Sequence, residues 1–206
     1  MKSLIAGYRK FREDIWPKDR LRFEALAKSQ KPHTLVISCS DSRVDPTTIF
    51  SAKPGELFVV RNVASVVPPY ETYGGHHGVS AAIAFAVVNL DVERIVVLGH
   101  ENCGGVAAAM SDEASNLPTP FLSQWVSLLA PAIHKCGSTD PIAVEQESIR
   151  LSLGRLMTFP FIAERVAAGK LKLYGAHFQI SDGTLAILDE ACDCFRPAED
   201  GSDGQL

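Results

Sequence analysis

ELFVVRNVASVVPPYETYGGHHGVSAAIAFAVVNLDVERIVVLGH, residues 56–100, decides the fold class. It opens on a short run rich in β-branched residues, Glu56 to Asn62, and closes on another, Arg94 to His100. Between them lies a helix-length apolar segment, roughly Gly78 to Leu90. Strand, helix, strand in that order predicts a parallel sheet. Upstream, HTLVISC (His33 to Cys39) is a third run of the same buried-strand type. The expected class is therefore α/β, a mainly parallel central sheet flanked by helices.

Working outward, Phe121 to His134, Val144 to Leu156 and Pro160 to Ala168 read as helices. LKLYGAHFQI and TLAILD supply two late strands, joined around Asp182-Gly183 by a hairpin signal. At the other end Leu4, Tyr8, Phe11 and Ile15 recur at helical spacing, and a second helical stretch runs from about Lys18 to Lys28. These make residues 1–30 a helical arm, which either packs locally or embraces a neighbouring subunit. Residues 1–197 are expected to form a single domain. The acidic segment AEDGSDGQL, 198–206, has almost no apolar side chains and is expected to be a mobile tail.

A chain of 206 residues, 46% of them hydrophobic, can bury one sizeable core. Twenty Lys and Arg stand against 24 Asp and Glu, so the formal charge of -4 supplies no general attraction to nucleic acid or to an anionic membrane. The apolar run Val79 to Val88 is too short to cross a bilayer, and charges interrupt every apolar stretch of MKSLIAGYRKFREDIW. A cytoplasmic protein without nucleic-acid or membrane partners is expected. The five cysteines, Cys39, Cys103, Cys136, Cys192 and Cys194, are odd in number. In a reducing compartment that favours thiolates that bind metal or react over a disulfide framework.

Two clusters carry chemistry. In CSDSRV, Cys39, Asp41 and Arg43 alternate, and an extended segment leaving a strand would point all three into one cavity. In GHENCGG, His100 and Cys103 fall where a strand ends, and Gly104-Gly105 allow a tight entry into a helix. Both lie at the carboxyl ends of strands, where open α/β sheets bind their ligands. Two thiolates and an imidazole select zinc over magnesium or calcium, and three protein ligands leave a fourth position for catalysis. The plainer readings are a four-ligand structural site completed by Cys136, Cys192, Cys194 or Asp41, or buried cysteines with no metal. Asp41 and Arg43 can form a bidentate pair that keeps the carboxylate ionised and able to accept a hydrogen bond from the attacking hydroxyl. Backbone amides of Gly104 and Gly105 can stabilise charge developing on a bound oxygen.

CSDSRV, PGELFVVRNVASVVPPYE, the GVSAAIAFAV helix and VVLGHENCGGV together resemble the β-class carbonic anhydrases, most densely from Gln30 to Val106 and extending to about Pro197. The resemblance implies Cys39, His100 and Cys103 as ligands of one zinc ion, Asp41 with Arg43 as the catalytic dyad, and reversible hydration of CO2 to bicarbonate. It also implies a homodimer or homotetramer, with Gln30, Phe58, Val63 and Gly104 forming a narrow substrate pocket partly across a subunit interface; for Phe58 and Val63 the alternative is ordinary core. Phe85, also assigned to that pocket, follows Ala84 where many members resemble IEYAV, so a tyrosine hydroxyl is missing. Val36 stands where members with an inhibitory bicarbonate site carry Trp, and no such site is expected. The rival activities are hydrolysis of carbonyl sulfide or carbon disulfide, or a non-catalytic zinc or thiol redox role.

Overall fold

The computed structural model describes residues 1–198; apart from Ala198, the tail expected over 198–206 lies outside them. Helix α1 (Lys2–Lys10) runs through a wider turn, Phe11–Ile15, toward α2 (Arg20–Leu26). The chain then enters β1 (Thr34–Cys39), α3 (Pro46–Ile49) and β2 (Leu57–Asn62). Next come α4 (Gly78–Ala84), which widens over Phe85–Asn89, β3 (Arg94–His100) and α5 (Gly104–Met110). The second half supplies α6 (Pro120–Val126), α7 (Ala130–Cys136), α8 (Pro141–Leu156) and α9 (Pro160–Ala167). Strands β4 (Lys172–Phe178), β5 (Leu185–Asp189) and β6 (Cys194–Pro197) end the described chain.

The strands form one six-stranded sheet in the order β2-β1-β3-β4-β5-β6. The first four are parallel, and β5 and β6 are added antiparallel. β1 and β3 are central and covered on both faces, which is why their sequences are nearly continuous apolar runs rather than alternating ones. Leu35, Ile37, Ile83, Ile95, Val97 and Phe159 pack together in the main core. Val36, Val96, Leu98 and Ala176 fill a smaller cluster.

Several expectations change in detail, each for a local reason. The helix expected over Phe121 to His134 breaks at Ser127–Leu129, because the ring of Pro131, at the second position of α7, cannot follow a helical turn that uses the carbonyl of Ser127. Helix α8 starts three residues earlier than Val144, with Pro141 at its first position and the Asp140 carboxylate accepting the Ile142 N–H at 3.1 Å. The short strand β6 was not expected; Leu188 pairs with Phe195, whose ring packs against the core. Cys192 and Cys194 are disulfide-bonded across the turn between β5 and β6, whereas the odd cysteine count had pointed to free thiolates. A bridge over one residue is closed by the turn itself and needs no framework. Cys39, Cys103 and Cys136 are free thiols.

The arm stands apart from the core. No residue of α1 or α2 is buried, and Leu4 and Tyr8 are mostly exposed. Its internal contacts include an edge-on pair, Phe11 with Phe23, and Arg12 stacked over Trp16, and Arg22 ties it to the domain through the Pro54 carbonyl and Glu56.

Candidate metal centre and active site

Parallel pairing aligns the carboxyl ends of β1 and β3, so Cys39 at the end of one and His100 at the end of the other arrive side by side. Cys103 follows as the cap of α5, reached through Asn102 in a left-handed conformation (φ 54°), which asparagine tolerates better than most residues. The ligand atoms of Cys39, His100 and Cys103 all lie within 4.8 Å of one another, and this is the only such group of three or more among the described residues. All three side chains are buried.

The donors suit zinc. The two sulfurs are 4.0 Å apart, against about 3.8 Å for a tetrahedral ion with Zn–S bonds of roughly 2.3 Å. His100 Nδ1–H donates to the Glu101 carbonyl at 2.9 Å, which leaves Nε2 as the free ligand nitrogen, and Nε2 is buried with no hydrogen-bond partner. A buried imidazole nitrogen left unpaired is costly unless something else binds it. Without metal the thiols share a proton. The hydrogen bond from Cys103, the largest effect, lowers the Cys39 pKa to about 4, with the Asp41 and Ala64 amides helping, while donating that bond pushes Cys103 upward. Burial opposes charge on His100, yet the Cys39 sulfur and the Glu101 carbonyl raise its pKa overall.

None of the alternative fourth ligands joins the group. Cys192 and Cys194 are bonded to each other, Cys136 lies outside the cluster, and Asp41 is engaged by Arg43. Arg43 donates from Nε to Asp41 Oδ1 at 2.9 Å and from Nη2 to Oδ2 at 2.7 Å, a two-bond fork. The segment is not extended, however. Residues 41–44 form a turn in which the Arg43 N–H also donates to Asp41 Oδ1 at 2.9 Å, so an aspartate-capped turn, not strand alternation, brings the two side chains together. Nη2 further donates to the Asn102 carbonyl at 3.0 Å and so ties the two ligand loops. Arg43 holds the Asp41 carboxyl far below the usual carboxylate range.

Gly104 and Gly105 serve differently from expectation. The amides of Gly105 and Val106 face the Cys103 sulfur and favour its thiolate, so Gly105 N–H is directed at a ligand rather than at a substrate oxygen. A Cβ on Gly105 would come within 2.6 Å of Val63 Cγ1 and 3.0 Å of Ala64 Cβ, whereas one on Gly104 would meet nothing within 4 Å. The loop it presses against is strained, with Ala64 (φ 65°) and Ser65 (φ 52°) both left-handed. Asn62 holds that loop, accepting the Val66 N–H at 2.9 Å and donating to the Val66 carbonyl at 3.0 Å, and Trp125 Nε1 donates to the Val63 carbonyl at 2.8 Å. Gly105→Ala is accordingly expected to displace Ala64 and cost about 1–3 kcal/mol, checked by thermal unfolding, whereas Gly104→Ala should be nearly neutral.

The implied pocket residues divide. Val63 sits at the site, against Gly105. Gln30, Phe58 and Phe85 do not reach it within one chain. Gln30 precedes β1, and the strand rises about 17 Å before Cys39. Phe58 pairs with Leu35 and touches Phe85, whose ring is 44% exposed. Parallel topology carries residues from the amino ends of strands to the edge of the sheet opposite the ligands. Val36 is buried in the small core cluster. Arg61 was missed: it donates to the Cys39 carbonyl at 2.9 Å, the Asp41 carbonyl at 2.7 Å and Asp45 Oδ2 at 3.1 Å, bracing the ligand loop.

Fold and site define a mixed α/β protein with a cysteine–histidine cluster able to hold a metal at the carboxyl edge of its sheet. The family model described as "Carbonic anhydrase" matches residues 34–185. Beta carbonic anhydrase 3 of Arabidopsis thaliana is 37% identical over 197 residues, covering 91% of this chain and 76% of that protein. The solved structure of the β-carbonic anhydrase CcaA superposes with a TM-score of 0.86 at 33% identity, over 96% of this chain and 99% of that one. A structure from a study of two tetrameric β-carbonic anhydrases of Sordaria macrospora gives 0.73 at 32%, over 95% and 94%. The chain belongs to the carbonic anhydrase family, in its β class. No helix among the described residues is long and apolar enough to cross a membrane.

Proposed function

We propose that this enzyme interconverts CO2 and bicarbonate with one zinc ion held by Cys39, His100 and Cys103. The observation that carries the reading is the convergence of those three ligand atoms within 4.8 Å beside a carboxylate fixed by an arginine fork. Zinc at such a site supplies the Lewis acidity that makes water a nucleophile at neutral pH. Asp41, locked by Arg43 and ionised, accepts a hydrogen bond from the attacking water and sets its orientation. The burial of the cluster strengthens these interactions by keeping bulk water out. Stopped-flow CO2 hydration together with zinc analysis tests the reading; one zinc per chain with no hydration, but with turnover of carbonyl sulfide or carbon disulfide, would overturn the substrate assignment.

The active unit proposed is a homodimer or homotetramer. Leu4 and Tyr8 on the arm, with Phe85 and Val88 beyond α4, are large exposed apolar side chains that a partner chain would cover. Gln30 and Phe58 would reach a zinc site only across such an interface.

The pH profile follows from the charge count. Two thiolates already neutralise a divalent cation, so this donor set acidifies water less than three imidazoles do. Asp41 adds an anion beside the reacting water and opposes its ionisation further, while the Arg43 guanidinium partly offsets it. The deprotonated form is the active one, so kcat/KM for hydration should rise with pH, its limb above neutrality. Asp41 does not supply this limb, since its pKa is far below the assay range. Full activity persisting down to about pH 6 would sink the charge argument.

A further inference from the structure

On the α8 side of the ligand cluster lies a second buried pair that neither ligates nor belongs to the dyad. Glu145 on α8 is 2% exposed and His177 on β4 is 1% exposed. Glu145 Oε1 accepts the Cys103 N–H at 2.9 Å, and His177 Nε2 is 2.9 Å from Oε2. With Nε2 as the donor, Oε2 accepts. Burying a carboxylate is expensive unless every lone pair finds a partner, and a hydrophobic residue would fill the same space at less cost. Both oxygens of Glu145 have partners, and one of them is the backbone of a zinc ligand.

We propose that Glu145 and His177 form a positioning pair that fixes the Cys103 arm of the zinc site; this rests on the zinc reading above. Cys103 caps α5 and has no backbone partner for its own N–H, so Glu145 sets where its Cα, and therefore its sulfur, stands relative to Cys39. His177 in turn fixes the carboxylate from the neighbouring strand: it lies opposite Gly99, the residue before His100, and its Cδ2 is 3.8 Å from where a Cβ on Gly99 would be. The pair thus ties α8, β4 and the cap of α5 to one ligand.

The experiment compares intact Glu145→Ala, Glu145→Gln, His177→Phe and His177→Gln enzymes with the parent. Zinc affinity is read by chelator competition, and the thiolate-to-metal absorption is read on the cobalt-substituted proteins. Glu145→Ala and His177→Phe are expected to weaken zinc binding about 10- to 100-fold and to shift the cobalt bands, with kcat falling and KM for CO2 little changed. Glu145→Gln keeps an acceptor for the Cys103 N–H, and His177→Gln keeps a donor to Oε2, so both should recover most of the affinity and the parent bands. If Glu145→Ala does not fold, His177→Phe against His177→Gln makes the same comparison. Variants that lose only thermal stability, with parental zinc affinity and cobalt bands, would make the pair mere packing and overturn the proposal. A parent protein with no zinc and no thiolate bands fails the zinc reading instead, so the two failures are distinct.

Discussion

Cys39→Ser and Cys103→Ser are each expected to leave a protein that holds little zinc and hydrates CO2 near the background rate. The hydroxyl is nearly isosteric with the thiol, and both sites are buried in a packed cluster, so the fold should survive with a modest change in thermal stability. The chemistry does not survive. A hydroxyl does not ionise near neutral pH, whereas a thiol gives up its proton readily to a bound cation, so each substitution removes one of two anionic donors and half the charge that neutralises the cation. Loss of the metal forfeits several kcal/mol of barrier lowering, about 10³-fold or more in kcat/KM. Zinc-to-protein ratios and stopped-flow rates on the folded variants check this. Full zinc and full hydration in both serine variants would overturn the ligand assignment.

The sheet was legible in the sequence because β1 and β3 are buried on both faces and must be apolar throughout, and because a helix-length crossover between β2 and β3 returns the chain to the same edge, so that both run parallel to β1, which lies between them. The ligands were legible because Cys39, His100 and Cys103 are unusual residues at strand ends. What escaped depended on three-dimensional neighbours. Asp41 and Arg43 were expected together, but for the wrong reason, since spacing alone cannot distinguish an extended segment from a turn capped by the aspartate itself. The demand for glycine at 105 arises from Val63 and Ala64, over forty residues away. Glu145 was not singled out, although a signal was present: it falls in phase with Ser148, Ile149, Ser152 and Leu156, the buried face of α8. Gln30, Phe58 and Phe85 came with the resemblance, and only the topology shows that they lie beyond reach of the ligands in one chain.

Removing either half of the fork should separate activity from metal content. Asp41→Ala and Arg43→Ala are each expected to lower kcat/KM for hydration about 10²-fold or more, with zinc content close to one per chain, because neither side chain is among the ligands. The two variants should differ in their dependence on pH. In the parent, Arg43 depresses the Asp41 pKa, so the carboxylate stays ionised throughout the assay range and the stabilisation from the fork, present above the ordinary aspartate pKa, is lost only as pH falls through the depressed one. Asp41→Ala removes the anion that opposes ionisation of the reacting water, so its limb should move to lower pH. Arg43→Ala removes the guanidinium that offsets that anion and frees the carboxylate to swing, so its limb should move to higher pH and its deficit deepen on the acid side. Freed from the fork, Asp41 can also turn toward the cation and compete with water for the fourth position, in which case Arg43→Ala binds zinc at least as tightly as the parent while turning over more slowly. Zinc lost in step with activity in Asp41→Ala would instead make the carboxylate a ligand, and the fork a rest position for it.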